Sequence, residues 1–391
     1  MTNRVINPDI LRPSAVSPLK VLLCSLPMLI LTAFLISRGS MPVEPLKVVA
    51  FSMTYILING LFFLMIYTGK VYHYRAILFI TVAVAFIIAF GANLLEERGS
   101  MLLRTENTLA GDAPFCHLVI PAIIIPAVVT KTIIFPGTII DRFASISGML
   151  VLWLGASVAL GRGWCSWVCF YGGLDEGFSC LCRKPVIKNI ADQWRYLPWA
   201  VLLVVVLVSA LTFSPAYCEW LCPFKTVTEF SAITSFKILV QTIIFLLLFI
   251  SLVVVLPILT GRRIQCGLFC PFAAFQALTN KFNIFTIGIN REKCVECKRC
   301  VKGCPTFSLD TVSVKQGKPL LSCTKCGKCI DNCPKQAISF RLKGIPVGVN
   351  TQSAKILFLY PAFTFAAAVG GGFIYGALIR VLKLITTGSM F

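Results

Sequence analysis

Residues 294–305 read CVECKRCVKGCP, and residues 323–334 read CTKCGKCIDNCP. Both are C-x2-C-x2-C-x3-C-P, and the second run repeats the first after 29 residues. A cube of four irons and four sulfides takes four thiolates. This spacing wraps three thiolates of one run around one cluster and sends the fourth to the other. One [4Fe-4S] cluster is therefore expected on Cys294, Cys297, Cys300 and Cys333, and a second on Cys323, Cys326, Cys329 and Cys304. Pro305 and Pro334 turn the chain away after each fourth cysteine. A structural zinc site takes four ligands, commonly as two C-x2-C pairs, and has no use for this doubled run.

The chain around these runs is not that of a water-soluble protein. Of its 391 residues 57% are hydrophobic and 13% charged, where a soluble domain is about one quarter charged. Apolar runs at 20–37, 46–67, 76–95, 138–160, 196–213, 237–259 and 355–379 are long enough to cross a core about 30 Å thick. The run Leu118 to Val129 is shorter and is interrupted by Pro121 and Pro126, so it reads as a re-entrant or interfacial piece. The run starting at Lys20 lacks a small-residue cleavage site and reads as an anchor. The expected fold is a polytopic α-helical membrane protein of about seven spans plus one re-entrant segment. It carries an inserted α+β two-cluster domain. The expected division is 1–137, three spans and the re-entrant piece; 138–284, a redox membrane region; 285–345, the cluster domain; and 346–391, a last membrane helix.

The net charge of +20 does not point to nucleic acid. Residues 260–354 hold 15 Lys and Arg against 4 Asp and Glu, and they lie between two spans. Basic loops beside spans are what the positive-inside rule expects, and they suit anionic lipid or an acidic redox partner. The rule puts 260–354, loop 161–195, loop 68–75 and the N-terminus inside. Segment 96–137, with Glu96, Glu97, Glu106 and Asp112, falls outside. Arg380 and Lys383 then land on the wrong side unless Gly370-Gly371-Gly372 kinks the last helix or ends it in a hairpin.

Three C-x3-C pairs follow apolar spans: Cys165-SWV-Cys169, Cys218-EWL-Cys222-Pro223-Phe224 and Cys266-GLF-Cys270-Pro271-Phe272. Cysteines one helical turn apart point to one side of a helix, and three such pairs at similar helix ends suggest metal or redox duty. Cys165, Cys169, Cys266 and Cys270 share the inner face and together supply four thiolates for one further cluster or metal site. Cys218 and Cys222 come out on the opposite face, in company with Cys116 and His117. A metal site and a disulfide both fit that group. Trp164, Trp167 and Trp220 read as interfacial anchors.

Residues 285–343 resemble the two-cluster bacterial ferredoxin fold, two short ββ/α repeats about a pseudo-twofold. GRGWCSWVC, CEWLCPF and CGLFCPF followed by the doubled run resemble the membrane polyferredoxin group over about 145–345. That group includes the quinol-oxidising membrane subunit of periplasmic nitrate reductase, the membrane part of the nitrous-oxide-reductase regulator and an iron–sulfur accessory protein of cytochrome oxidase maturation. The chain departs from the pattern in having Phe170 where proline is usual, and three C-x3-C motifs where two are usual. The expected location is the cytoplasmic membrane of a bacterium or archaeon, and the positive-inside rule puts the ferredoxin-type domain in the cytoplasm.

His73 and His117 are the only histidines, and neither falls where two facing helices would hold haem. No dinucleotide or Walker fingerprint appears, and no nucleophile–base set is visible. The reading is an electron-transfer component of an oxidoreductase system. Its candidate partners are quinone or quinol, an acidic ferredoxin or flavodoxin, and other redox subunits of a membrane complex. The alternatives are a maturation or regulatory factor that reduces a metal or disulfide during assembly of a respiratory enzyme, and a structural subunit whose clusters act as wires.

Overall fold

The computed structural model describes residues 18–37, 41–96, 146–182, 185–188, 190–228, 235–346 and 349–390, with isolated positions between them. It is mostly helical. The α-helices of its bundle include α1 (Pro18–Ser37), α2 (Pro45–Thr68), α3 (Val71–Glu96), α4 (Ile146–Leu160), α5 (Phe170–Leu181), α6 (Leu197–Thr212), α7 (Phe236–Leu248), the short α8 (Leu256–Thr260), α9 (Pro271–Thr279) and α10 (Thr351–Thr387). Among the described residues six helical stretches are long and apolar enough to cross a bilayer: α1, α2, Val71–Ala89 of α3, Asp192–Thr212, Phe236–Thr260 and α10. Leu203, Leu207, Leu211, Leu246 and Leu247 stand exposed along them, as side chains facing lipid must.

The expected span at 138–160 differs. Its described part is α4, 15 residues, about 22 Å long at 1.5 Å per residue. Residues 138–145 lie outside the described residues, and so does most of the proposed re-entrant piece at Leu118–Val129. A short, largely buried helix, α5, nevertheless packs inside the bundle, at a place the hydropathy did not mark. Cys180 Sγ lies 3.8 Å from Tyr72 Oη near the start of α3. At the other end of α5, Phe170 stacks on Phe86 with centroids 4.1 Å apart, and Phe86 lies about 22 Å further along α3. Helix α5 therefore runs antiparallel to α3 inside the bundle.

Two strands, β1 (Phe285–Ile289) and β2 (Ile338–Leu342), pair antiparallel with Phe285 opposite Leu342 and Ile289 opposite Ile338. The bacterial ferredoxin resemblance implies two ββ/α repeats; among the described residues each half contributes one strand. The repeat survives in the backbone instead. Glu296, Lys298 and Phe307 have positive φ, and so do Lys325, Gly327 and Gln336, each 29 residues on. Short helices Arg299–Lys302 and Lys328–Asp331 obey the same offset.

This small domain sits on one end of the bundle. Asp331 accepts from the Tyr72 N–H at 2.8 Å, Lys325 Nζ donates to the Leu160 carbonyl at 3.0 Å, and the Arg263 N–H donates to the Pro305 carbonyl at 2.9 Å. Phe358 of α10 stacks on Phe340 of β2. The loops near 70, 161, 262 and 350 thus gather at the same end, as the charge distribution requires. Helix α10 continues unbroken for 37 residues, about 55 Å. The glycine triplet is neither kink nor hairpin. A Cβ on Gly370 would lie 2.6 Å from Val82, and one on Gly371 3.2 Å from Ile36, so these glycines let α10 approach its neighbours. Arg380 and Lys383 stay at the far end.

Candidate iron–sulfur centres

The doubled cysteine run folds into two four-cysteine settings. Cys294, Cys297, Cys300 and Cys333 line one cavity of about 290 Å³. Cys304, Cys323, Cys326 and Cys329 line a second, tighter one. These are the two sets that the spacing predicts. Backbone N–H groups already point at the sulfurs in symmetric fashion: Ser308 N donates to Cys304 Sγ at 3.2 Å, and Ala337 N to Cys333 Sγ at 3.3 Å. Left-handed residues between the cysteines fold each loop inward, a conformation that costs a β-carbon-bearing residue energy. The two settings are neighbours, since Cys300 and Cys304, four residues apart, line one and the other, and so do Cys333 and Cys329.

Burial pushes the Cys300 thiol up to about 11 and the Cys323 thiol up to about 12. It also lowers the Lys325 ammonium to about 7, against the opposing pull of Cys323. Protonated thiols and an uncompensated ammonium are poor company in a dry interior. Four thiolates on iron answer both, and this donor set fits [4Fe-4S] clusters.

The third setting lies within the bundle. All three C-x3-C motifs share a local form. The first cysteine sits in a short helical turn, the second leaves it in extended conformation, and a new helix starts directly after Cys169 and Cys270 and at Lys225 after Cys222. Cys169, Cys222 and Cys270 have ψ of 102°, 106° and 117°. Cys169 N bonds back five residues to the Trp164 carbonyl and Cys270 N to that of Gln265, the π-type turn often found at functional sites. The pairs therefore do not lie along one helix face, as simple helical spacing predicts. The break instead lets both sulfurs turn inward.

Cys165, Cys169, Cys266 and Cys270 are all buried. Cys169 lies within electrostatic reach of Cys165, Cys270 and Cys266, and Cys270 of Cys165. Among the described residues no three Cys, His, Asp or Glu side chains crowd together as ligands of one ion would. Around the four thiols stands a buried ionic lattice invisible to motif reading. Arg263 Nη2 donates to the Cys165 carbonyl at 2.7 Å and to Cys266 Sγ at 3.2 Å, and its Nη1 to Ser166 Oγ at 2.6 Å. Arg162 Nη2 donates to the Cys266 carbonyl, and Asp175 accepts from the Cys266 N–H. Glu176 faces Arg75 at 3.1 Å and Arg263 at 3.7 Å, every one of these side chains 1% exposed or less. Arg75, Arg162 and Arg263 outnumber Asp175 and Glu176 by one positive charge, and the Nε atoms of all three arginines are buried without a hydrogen-bond partner. Such an excess is costly unless an anion completes it. A cluster held by four thiolates is such an anion, so this donor set fits a cluster too.

Cys218 and Cys222 are nearer to this setting than the opposite-face placement implies. Gln265 Nε2 donates to Tyr217 Oη at 3.3 Å, and Phe224 stacks on Tyr171 with centroids 4.3 Å apart. The far-end segment folds back into the bundle and packs against both other motifs. Cys116 and His117 lie outside the described residues. Trp164 and Trp167 are buried rather than interfacial, and Trp167 Nε1 donates to the Lys325 carbonyl.

Comparison with known proteins finds iron–sulfur domains over these segments. The 4Fe-4S dicluster domain matches residues 286–334. The 4Fe-4S binding domain matches three times, at 142–188, 196–240 and 242–288, once for each C-x3-C pair. The chain is 26% identical over 162 residues to the ferredoxin-type protein NapH of Escherichia coli, covering 41% of this chain and 53% of that protein. It is 28% identical over 182 residues to the methylamine utilization ferredoxin-type protein MauN of Paracoccus denitrificans, covering 45% and 60%. YccM of Escherichia coli matches at 25% over 166 residues, covering 40% and 45%. The matched stretch thus spans about half the length of these curated relatives. No solved structure matches.

Proposed function

From its place among the ferredoxin-type 4Fe-4S membrane proteins of the polyferredoxin group, we infer that this chain is an electron relay with three cluster settings in series. The observation that carries this is the continuity of the cysteine environments. The first two settings adjoin through the doubled run, since Cys304 follows Cys300 by four residues and Cys333 follows Cys329 by four. Trp167 Nε1 of the first C-x3-C motif donates to the Lys325 carbonyl, between Cys323 and Cys326, and Arg75, paired with Glu176, donates to the Ser166 carbonyl beside Cys165. No setting is isolated from the next.

The roles of the residues follow. Cys294, Cys297, Cys300 and Cys333 would hold the first cluster, and Cys304, Cys323, Cys326 and Cys329 the second. Cys165, Cys169, Cys266 and Cys270 would hold a third. Cys218 and Cys222 are a further candidate pair beside it. Bound clusters supply reversible one-electron storage. The chain itself excludes water from the inner settings, orients the sulfurs and holds the backbone donors that stabilise added negative charge. The first setting is the port. Cys297 is exposed, and Lys298, Arg299, Lys315 and Lys335 against Glu296 line the cavity. That rim suits an acidic ferredoxin or flavodoxin in the cytoplasm, attracted at a rate that falls with salt. The quinone pool of a bacterial or archaeal cytoplasmic membrane, or another redox subunit, is the counterpart at the bundle end.

The test is iron content and electron paramagnetic resonance on the purified chain, with quinol and a reduced acidic protein as separate donors. Three reducible clusters and about twelve irons per chain are expected from four irons in each cube. Reduction of none of them by either donor would overturn the relay.

A further inference from the structure

We propose that Arg263 sets the reduction potential of the cluster held by Cys165, Cys169, Cys266 and Cys270, raising it relative to what the same four thiolates would give alone. The proposal rests on the reading that this setting binds a cluster.

Arg263 is fully buried, and its contacts leave it little freedom. One nitrogen reaches the Cys266 sulfur and the Cys165 carbonyl, and the other the Ser166 hydroxyl. Glu176 pairs with the same guanidinium and with Arg75. The ring of Phe79 lies 5.3 Å away on one side. The fold has cleared room for this side chain: a Cβ on Gly172 would stand 2.3 Å from Arg263 Nη2. A planar fork fixed on three acceptors is a role lysine cannot reproduce.

The physics has a definite sign. Reduction adds one electron and no proton, so the cluster becomes more negative. A fixed cation and an N–H···S bond both favour that form, the more strongly in a dry interior. The effect is local. The side chain of Arg263 contacts Cys165, Ser166, Cys266 and Glu176, and none of these is a ligand of the two ferredoxin-type settings. Asp175, on the Cys266 N–H, acts in the opposite sense and limits the rise. Raising only the innermost potential makes electron flow from port to bundle downhill at its last step. The cluster of the second setting is oxidised as this one is reduced.

The experiment is a redox titration followed by electron paramagnetic resonance on the full chain, comparing wild type with Arg263→Gln and Arg263→Lys. Arg263→Gln should shift the membrane cluster to lower potential, by roughly tenfold in its reduction equilibrium, or about 59 mV for one electron. The ferredoxin-type signals should not move. Arg263→Lys should shift it less, and it decides the matter if Arg263→Gln loses iron. An unmoved membrane signal in a variant retaining its iron overturns the proposal, as does an equal shift of all three signals. Absence of a third signal in the wild-type protein overturns the cluster reading instead.

Discussion

The most consequential single residues here are ones no cysteine motif announces. Glu176 stands between two buried arginines, and its replacement by glutamine leaves Arg75 and Arg263 without their counter-charge. Breaking a buried pair in this way costs roughly 3–5 kcal/mol, so Glu176→Gln should lower the thermal unfolding midpoint of the detergent-solubilised protein sharply. Asp192→Asn is the control. Asp192 also pairs with an arginine, Arg195, but it is 77% exposed, and an exposed pair of this kind contributes little; its melting point should not move. Asn280 is a second such residue. Its Oδ1 accepts from the Arg162 N–H and Lys325 Nζ, and its Nδ2 donates to the Leu321 and Cys323 carbonyls.

At the scale of elements, the buried helix α5 depends on a glycine pair. A Cβ on Gly173 would lie 2.4 Å from the Phe79 carbonyl oxygen and 2.7 Å from Ala83. Backbones this close need the smallest residue, as in helix pairs generally inside membranes. Gly173→Ala should therefore push α5 off α3 and displace Cys169. Loss of the third cluster signal with retention of the two ferredoxin-type signals is the expected result. Gly177→Ala is expected to be silent, because its Cβ would meet Ile80 only at 3.7 Å. The same helix explains why hydropathy missed it. FYGGLDEGFSCL carries two acids and three glycines, a composition that reads as a loop until the arginines that neutralise it are seen to face it.

The whole molecule is a domain seated on a bundle by polar contacts together with an aromatic seam, in which Phe358 of α10 packs on Phe285 and Phe340. Lys325, inside a cluster-binding run, is also the residue that reaches into the bundle, to the Leu160 carbonyl and Asn280. Cluster binding and docking are thereby coupled. Asn280→Ala should strip partners from groups on both bodies, at roughly 1–3 kcal/mol for each group left unsatisfied. Hydrogen exchange should then rise together at 321–326 and at 160–163. A rise confined to one of the two stretches would show that the seat does not depend on this residue.

How much of this was legible in the sequence varies with the range of the interaction. The eight-cysteine arrangement, the exchange of the fourth cysteine between runs, and the membrane class follow from short-range spacing and composition. A cube of fixed size constrains the intervals between its ligands, and lipid constrains the length of apolar runs. The gathering of Cys165, Cys169, Cys266 and Cys270 was also within reach, because the parity of spans puts their loops at one end. The depth of α5, the fold-back of Tyr217–Phe224 onto the other motifs and the packing role of Gly370 were not. Nor was the charge lattice of Arg75, Arg162, Asp175, Glu176 and Arg263. Each depends on residues far apart in the chain, 188 positions from Arg75 to Arg263 and 288 from Val82 to Gly370, and a buried charge is stable only against partners that the chain order does not reveal. Sequence alone determined which atoms can hold iron. The tertiary structure decided what surrounds them, because only packing excludes water and brings opposite charges together.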